Sequence, residues 1–318
     1  MKLRKAIIIS ISKKKLNNEE KKIFRNKKSI PWGVILFKRN IANNDQLRKL
    51  TMSIRKLTKD KNYPILIDEE GGKVCRLPFD KNRKKFSQKF FGDLFLIDKK
   101  KAVLTYKNFL NSLCLNLRNL GININTIPVL DLAQKNTHKI IGSRSYSKEV
   151  NIIQSLGKIC IKILKKNKIF PVIKHLPGHG CSNKDSHKSL PIINKRYSKL
   201  IKEDFKCFMG AKSLLGMTAH IKLSKIDKNN VSTFSNKIIT NIIRKKIGFK
   251  GILISDDISM KSLKYGLVDN SRKALDAGCN LILHCNGNIK EMFKLLEIVP
   301  TIDKFTQKKT SDFYKFLG

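Results

Sequence analysis

Short apolar runs rich in β-branched residues recur along the chain at 6–11, 33–37, 64–68, 122–131, 171–175, 214–220, 251–257 and 281–285, eight in all. Runs of this length, apolar at every position instead of alternating, predict strands buried on both faces. Between them lie longer stretches with apolar residues at helical spacing, predicting helices over 44–58, 101–120, 149–166, 197–212, 236–246 and 271–277. A final helical stretch over 289–316 is broken at Pro300. Strands that alternate with helices build a mostly parallel sheet covered on both sides. Eight such units in 318 residues fit a single (β/α)8 TIM-type barrel. A doubly wound open sheet is the fallback, but no G-x-G-x-x-G follows the first strand. With no repeat, low-complexity block or linker, residues 1–318 read as one barrel domain.

Composition narrows the class. Apolar residues make up 41% of the chain, enough to build a core. No run approaches the roughly 20 apolar residues of a membrane helix, so membrane insertion is not expected. Lys2, Arg4 and Lys5 before the run at 6–11 mimic the start of a secretory signal, but the run is short, ends in lysines and reads as a strand. The seven cysteines include no C-x-x-C pair, the pattern of reduced packing thiols in a cytoplasmic protein. The net charge of +43 by itself suggests a polyanion binder. The lysines are spread over the whole length, however, in company with abundant Asn and Ile. That favours a composition-driven solvated surface over a specific nucleic-acid site, although such a field still attracts anionic ligands.

Chemistry is read from the strand ends, because catalytic groups of such barrels sit at the C-terminal mouth. The third run ends in Asp68-Glu69-Glu70-Gly71-Gly72, the fourth at Asp131, the fifth in Lys174-His175, the sixth at His220 and the seventh in Ser255-Asp256-Asp257. The eighth ends beside His284. Metal chemistry has little support without H-x-H or H-E-x-x-H, and a serine nucleophile little without G-x-S-x-G. Carboxylate and imidazole chemistry remains, which calls for no metal and no cofactor. Glycoside hydrolysis needs a carboxylate at the anomeric carbon and a proton donor at the leaving oxygen. Asp256 or Asp257 can supply the first. The Gly- and Ser-containing stretch from Lys174 to His187 can supply the second, with Asp185 spaced to orient the His187 ring.

These segments resemble those of the bacterial β-N-acetylhexosaminidases of glycoside hydrolase family 3, single-barrel enzymes that remove N-acetylglucosamine from peptidoglycan fragments in cell-wall recycling. The family's D-Q-E-G-G-R-V-x-R reads here as Asp68-Glu69-Glu70-Gly71-Gly72-Lys73-Val74-Cys75-Arg76. Its I-G-D-R-S-F/Y reads as Ile141-Gly142-Ser143-Arg144-Ser145-Tyr146. K-H-F-P-G-H-G…D-S-H spans Lys174 to His187, M-T-A-H is Met217 to His220, and S-D-D-L-S-M is Ser255 to Met260. The resemblance implies Asp256 as the nucleophile and His187 as the general acid/base with Asp185 as its partner. It implies Asp68, Arg76, Arg144, Lys174 and His175 as the groups that hydrogen-bond the sugar. It further implies a muropeptide substrate carrying N-acetylglucosamine, and a monomer. Asp257, Glu70 and His179 read as bracing residues; His220 and His284 stay open between pocket lining and satisfied barrel groups, and His138 reads as surface. An imidazole acid avoids repelling both Asp256 and the muramic-acid carboxylate next to the scissile bond. It also admits phosphate, so a phosphorylase on the same site is an alternative, as is a decayed barrel that binds sugars or polyanions. Two departures matter. Glu69 replaces Gln and adds a charge expected near the sugar, and Ser143 replaces an Asp that could pair with Arg144.

Overall fold

The computed structural model describes residues 4–26, 28–78, 81–134, 141–180 and 189–318. All eight apolar runs contribute a strand to one closed parallel barrel: β1 (Lys5–Ser10), β2 (Pro31–Leu36), β3 (Ile65–Ile67), β4 (Ile124–Asn125), β5 (Phe170–Leu176), β6 (Leu215–Thr218), β7 (Ile252–Asp257) and β8 (Leu281–His284). Neighbours in sequence are neighbours in the barrel, and β1 closes it by pairing Ile8 with both Gly33 of β2 and Leu283 of β8. Ile7, Ile8 and Ile9 are all fully buried. Their successive side chains face the barrel interior and the helical ring in turn, which is why the run shows no polar alternation. The fold is the single (β/α)8 barrel that the pattern predicts.

The helical ring contains α1 (Asn18–Arg25), α2 (Asn44–Thr58), α3 (Gln88–Ile97), α4 (Lys99–Asn119), α5 (Val150–Lys166), α6 (Tyr197–Lys202), a π-helical segment Ile238–Lys246, α7 (Leu267–Asp276), α8 (Ile289–Ile298) and α9 (Lys304–Leu317). Pro300 separates α8 from α9 as expected. Phe313 of α9 packs its ring 6.0 Å from Trp32 and 4.4 Å from Phe170, closing the N-terminal end of the barrel. Among the described residues no helix is long and apolar enough to cross a membrane.

Three predicted elements come out differently. The run at 122–131 supplies only Ile124–Asn125 to the ladder. Beyond it the chain reaches Pro128, which has no N–H to donate, and its backbone returns to β5 through Leu130 N–H and the Lys174 carbonyl at 2.8 Å. The helix expected over 197–212 stops at Lys202. Buried Asp204 must meet the Gln134 amide at 3.2 Å, and a 3-10 turn over Phe205–Phe208 buries both aromatic rings. The helix expected over 271–277 begins earlier, at Leu267.

Candidate active site

The C-terminal mouth of the barrel opens into a cleft of about 530 Å³. Its wall begins at the end of β3. Gly71 and Gly72 both adopt positive φ, at 88° and 63°, where a side chain would be strained. This tight turn lets the Glu70 N–H bond the Val74 carbonyl at 2.9 Å and brings Arg76 back onto Asp68, with Nη2 3.1 Å from Oδ2. From β5, Lys174 Nζ reaches Asp68 Oδ1 at 3.3 Å, Glu70 Oε1 at 2.7 Å and Thr126 Oγ1 at 2.8 Å. The Thr126 hydroxyl also hydrogen-bonds Asp68. Arg144 clamps Glu70 through two parallel bonds of 2.8 and 2.9 Å. These are the charge-assisted, two-pronged contacts that fix a guanidinium in place.

The network sets the charge state of its members. Burial opposes ionisation of Asp68, but Lys174, Arg76 and the Thr126 hydroxyl outweigh it and hold the carboxyl well below the usual carboxylate range. For Glu70, burial is likewise overcome by Arg144 and Lys174, which bring the group to about 2. Both are anions at neutral pH, tied to cations that share them with the cleft. Phe37 adds a platform, its ring lying 4.9 Å beneath the Arg39 guanidinium carbon and 5.4 Å beneath that of Arg76.

Asp131 is fully buried and grips the β5 side. Its Oδ2 accepts from His175 Nδ1 at 2.6 Å, and its Oδ1 accepts from the backbone N–H groups of His175 and His179 at 3.3 and 2.6 Å. Burial raises Asp131, yet the His175 and His179 contacts leave it below its ordinary value. A carboxylate on Nδ1 holds the His175 ring in a fixed orientation. Gly180 continues this segment against Leu132, whose carbonyl a Cβ would meet at 1.8 Å. Across the cleft, Asp256 and Asp257 close β7. Asp257 is spent on bracing: it accepts from the Ser259 hydroxyl at 2.8 Å and the Cys285 N–H at 3.2 Å.

Asp68, Arg76, Arg144, Lys174, His175 and Asp256 therefore line one cleft, brought together from residues far apart in sequence. Asp185, His187 and His138 lie outside the described residues. Glu69 does not add a charge to the cleft wall. It turns away and accepts the Arg76 and Leu77 N–H groups at 2.7 and 3.1 Å, and burial raises its carboxyl despite those donors. Arg144 pairs with Glu70, so Ser143 deprives it of no essential partner. His220 is a satisfied barrel group, bonded to the Thr233 hydroxyl at 2.8 Å and the Asp257 carbonyl at 3.0 Å. His284 bonds Glu291 at 2.8 Å. Arg39, Thr126 and the clamp made by Asp131 were not singled out from sequence. Asp131 at least ends an apolar run; Arg39 and Thr126 carry no local signal.

Carboxylates, guanidinium groups and imidazoles line one cleft at the mouth of a (β/α)8 barrel, the place where enzymes of this fold hold their substrates. Residues 2–312 match the Glycosyl hydrolase family 3 N terminal domain, and the chain belongs to that family of glycoside hydrolases. Similar relatives include a protein named Beta-hexosaminidase from Bordetella parapertussis, 30% identical over 287 residues covering 88% of this chain and 79% of that one. Another of that name, from Nitrosomonas eutropha, is 33% identical over 261 residues, 80% of this chain and 73% of that one. Among solved structures, NagZ from Neisseria gonorrhoeae in complex with N-trifluoroacetyl-D-glucosamine superposes with a TM-score of 0.86 at 27% identity, covering 99% of this chain and 90% of that one.

Proposed function

We propose that the protein is a retaining exo-β-N-acetylhexosaminidase that removes terminal, non-reducing β-linked N-acetylglucosamine from peptidoglycan (muropeptide) fragments. The observation that carries the reading is the placement of Asp256 in the same cleft as the Asp68–Arg76–Lys174 network, in a chain whose relatives are named for hexosaminidase activity. The network presents one carboxylate and two cations to vicinal hydroxyls, a match for a sugar ring. Asp256 attacks the anomeric carbon, and the C–O bond to the leaving group breaks as the glycosyl ester forms. His187 gives its proton to the leaving oxygen, then takes one from the water that releases the sugar, with Asp185 orienting the ring. The assignment of Asp185 and His187 rests on the sequence motif. The place of action in this reading is the cytoplasm, in keeping with six described cysteines that are all unpaired. The protein acts there as a monomer.

The test is release of aryl alcohol from an aryl N-acetyl-β-glucosaminide and from the matching β-glucoside. Turnover of the N-acetyl sugar is expected, with Asp256→Ala folded and slower by about a thousand-fold or more. His187→Ala should lose far more on poor leaving groups than on activated aryl ones, because only the former need the proton. A folded wild type inert on both sugars, or a near-normal Asp256→Ala, would sink the reading.

A further inference from the structure

One imidazole in the cleft is left out of the reaction described above. His179 lines the wall with 3% of its surface exposed, and among the described residues neither ring nitrogen has a hydrogen-bond partner. The residue is not loosely held: its backbone N–H is pinned on Asp131 at 2.6 Å, and its ring stands 5.9 Å from that of His175. Burial brings the ring down to about 4, with the opposing pull of Asp131 and Asp256 too small to reverse it. It is therefore a neutral imidazole, carrying one N–H donor and one bare nitrogen. Buried donors are nearly always satisfied, and an orphan of this kind calls for an explanation. A partner arriving with the ligand supplies one.

The position of the ring says which part of the ligand that is. In the proposed reaction Asp256 must reach the anomeric carbon, and His179 lines the same cleft as Asp256 and Arg144. The Asp68, Arg76 and Lys174 network takes hydroxyls from the β3 side. The substituent next to the anomeric carbon is the one on C2, and in N-acetylglucosamine it carries an amide carbonyl, a strong neutral acceptor. We propose that His179 is a specificity-determining residue: its ring N–H donates to the 2-acetamido carbonyl of the bound sugar and so selects N-acetylated hexosamine over plain hexose. This rests on the proposed hexosaminidase function and adds the group that reads the acetamide.

The experiment compares wild type, His179→Phe and His179→Gln on the aryl N-acetyl-β-glucosaminide and the aryl β-glucoside. Phe keeps the bulk and removes the donor, whereas Gln restores an N–H. The ratio of the two kcat/KM values should fall about ten-fold or more in His179→Phe, the size expected when a buried hydrogen bond is lost, and recover in part in His179→Gln. Inhibition by N-acetylglucosamine and by glucose gives the same ratio where glucoside turnover is too slow to follow. Should His179→Phe not fold, the ring nitrogen resonance of His179 in 15N-histidine-labelled wild type carries the test. It is expected to shift with saturating N-acetylglucosamine and not with glucose. An unchanged ratio, equal losses on both sugars, or no shift with N-acetylglucosamine overturns the assignment. A wild type that neither cleaves nor binds the N-acetyl sugar overturns the hexosaminidase reading itself; a wild type that does, with an unaltered ratio in His179→Phe, overturns only the role of His179.

Discussion

Glu70 is 1% exposed at its side chain and holds two cations, Arg144 and Lys174. Replacing it with Gln removes the carboxylate that Arg144 clamps and one of the two that Lys174 holds, at a cost of about 3 kcal/mol. The pH dependence has a definite sign. The carboxyl is lowered from 4.5 to about 2 by these partners, so the unfolded chain binds its proton first. The stabilisation is fully present above about pH 4.5 and is lost as pH falls toward 2. The urea midpoint of the wild type should therefore drop more steeply between pH 5 and pH 3 than that of Glu70→Gln; parallel slopes would show that Glu70 does not carry this acid sensitivity. At this scale, Asp68, Lys174, His175 and Asp256 were legible as cleft residues because each stands at the C-terminal end of a mainly apolar run, where a polar group meets the barrel mouth. Arg39 and Thr126 were not, because an arginine in so basic a chain and a threonine within a β-rich run look ordinary. The direction Glu69 faces was hidden as well: two adjacent carboxylates, Glu69 and Glu70, take opposite jobs only once the Gly71–Gly72 turn decides where each points.

Helix α3 shows how an element positions the site without touching it. Gln88 at its start donates to the Val129 and Arg144 carbonyls at 2.9 and 2.6 Å, tying Arg144 to the barrel. The helix can come this close because Gly92 packs against the backbone at Tyr146, where a Cβ would fall 1.7 Å from the carbonyl oxygen. Gly92→Ala should force α3 outward, destabilise the fold by about 2 kcal/mol and raise KM through the displaced Arg144. A thermal midpoint and KM equal to wild type would show that α3 gives way freely. The eight strands were readable because burial on both faces demands continuous apolar residues. Helix α3 was not: it is apolar nearly all round and carries a glycine, so no helical stripe stands out. Helix α1 escaped for the opposite reason, having Ile23 and Phe24 as its buried apolar residues on an otherwise polar segment. It is secured instead by the Asn17–Glu20 capping box, with bonds of 2.8 and 2.9 Å.

For the whole molecule the governing quantity is the charge of +43. Spread over one compact barrel, it makes a positive field around a cleft that already contains Arg39, Lys73, Arg76, Arg144 and Lys174. An anionic muropeptide should be captured faster than a neutral sugar, and the advantage should fade as salt shortens the screening length to about 10 Å at 0.1 M. Between 0.05 and 0.5 M salt, kcat/KM on a substrate bearing a carboxylate should fall by about three-fold or more while that on a neutral aryl glycoside stays nearly constant. Equal responses would make the charge a feature of composition alone. The sequence by itself determined the barrel, because burying eight strands between a filled interior and a helical ring leaves little choice of residues. It also pointed to strand ends whose polar groups, Asp68, Lys174, His175 and Asp256 among them, line the cleft, because polar groups at those ends break the pattern. Only the tertiary structure decided how those ends converge. Lys174 meets Asp68 across 106 positions of chain, Arg144 finds Glu70 across 74, and Asp131 clamps the backbone of both His175 and His179. Such contacts depend on strand register and turn geometry, which closing the barrel sets for all eight strands together and no local segment encodes alone.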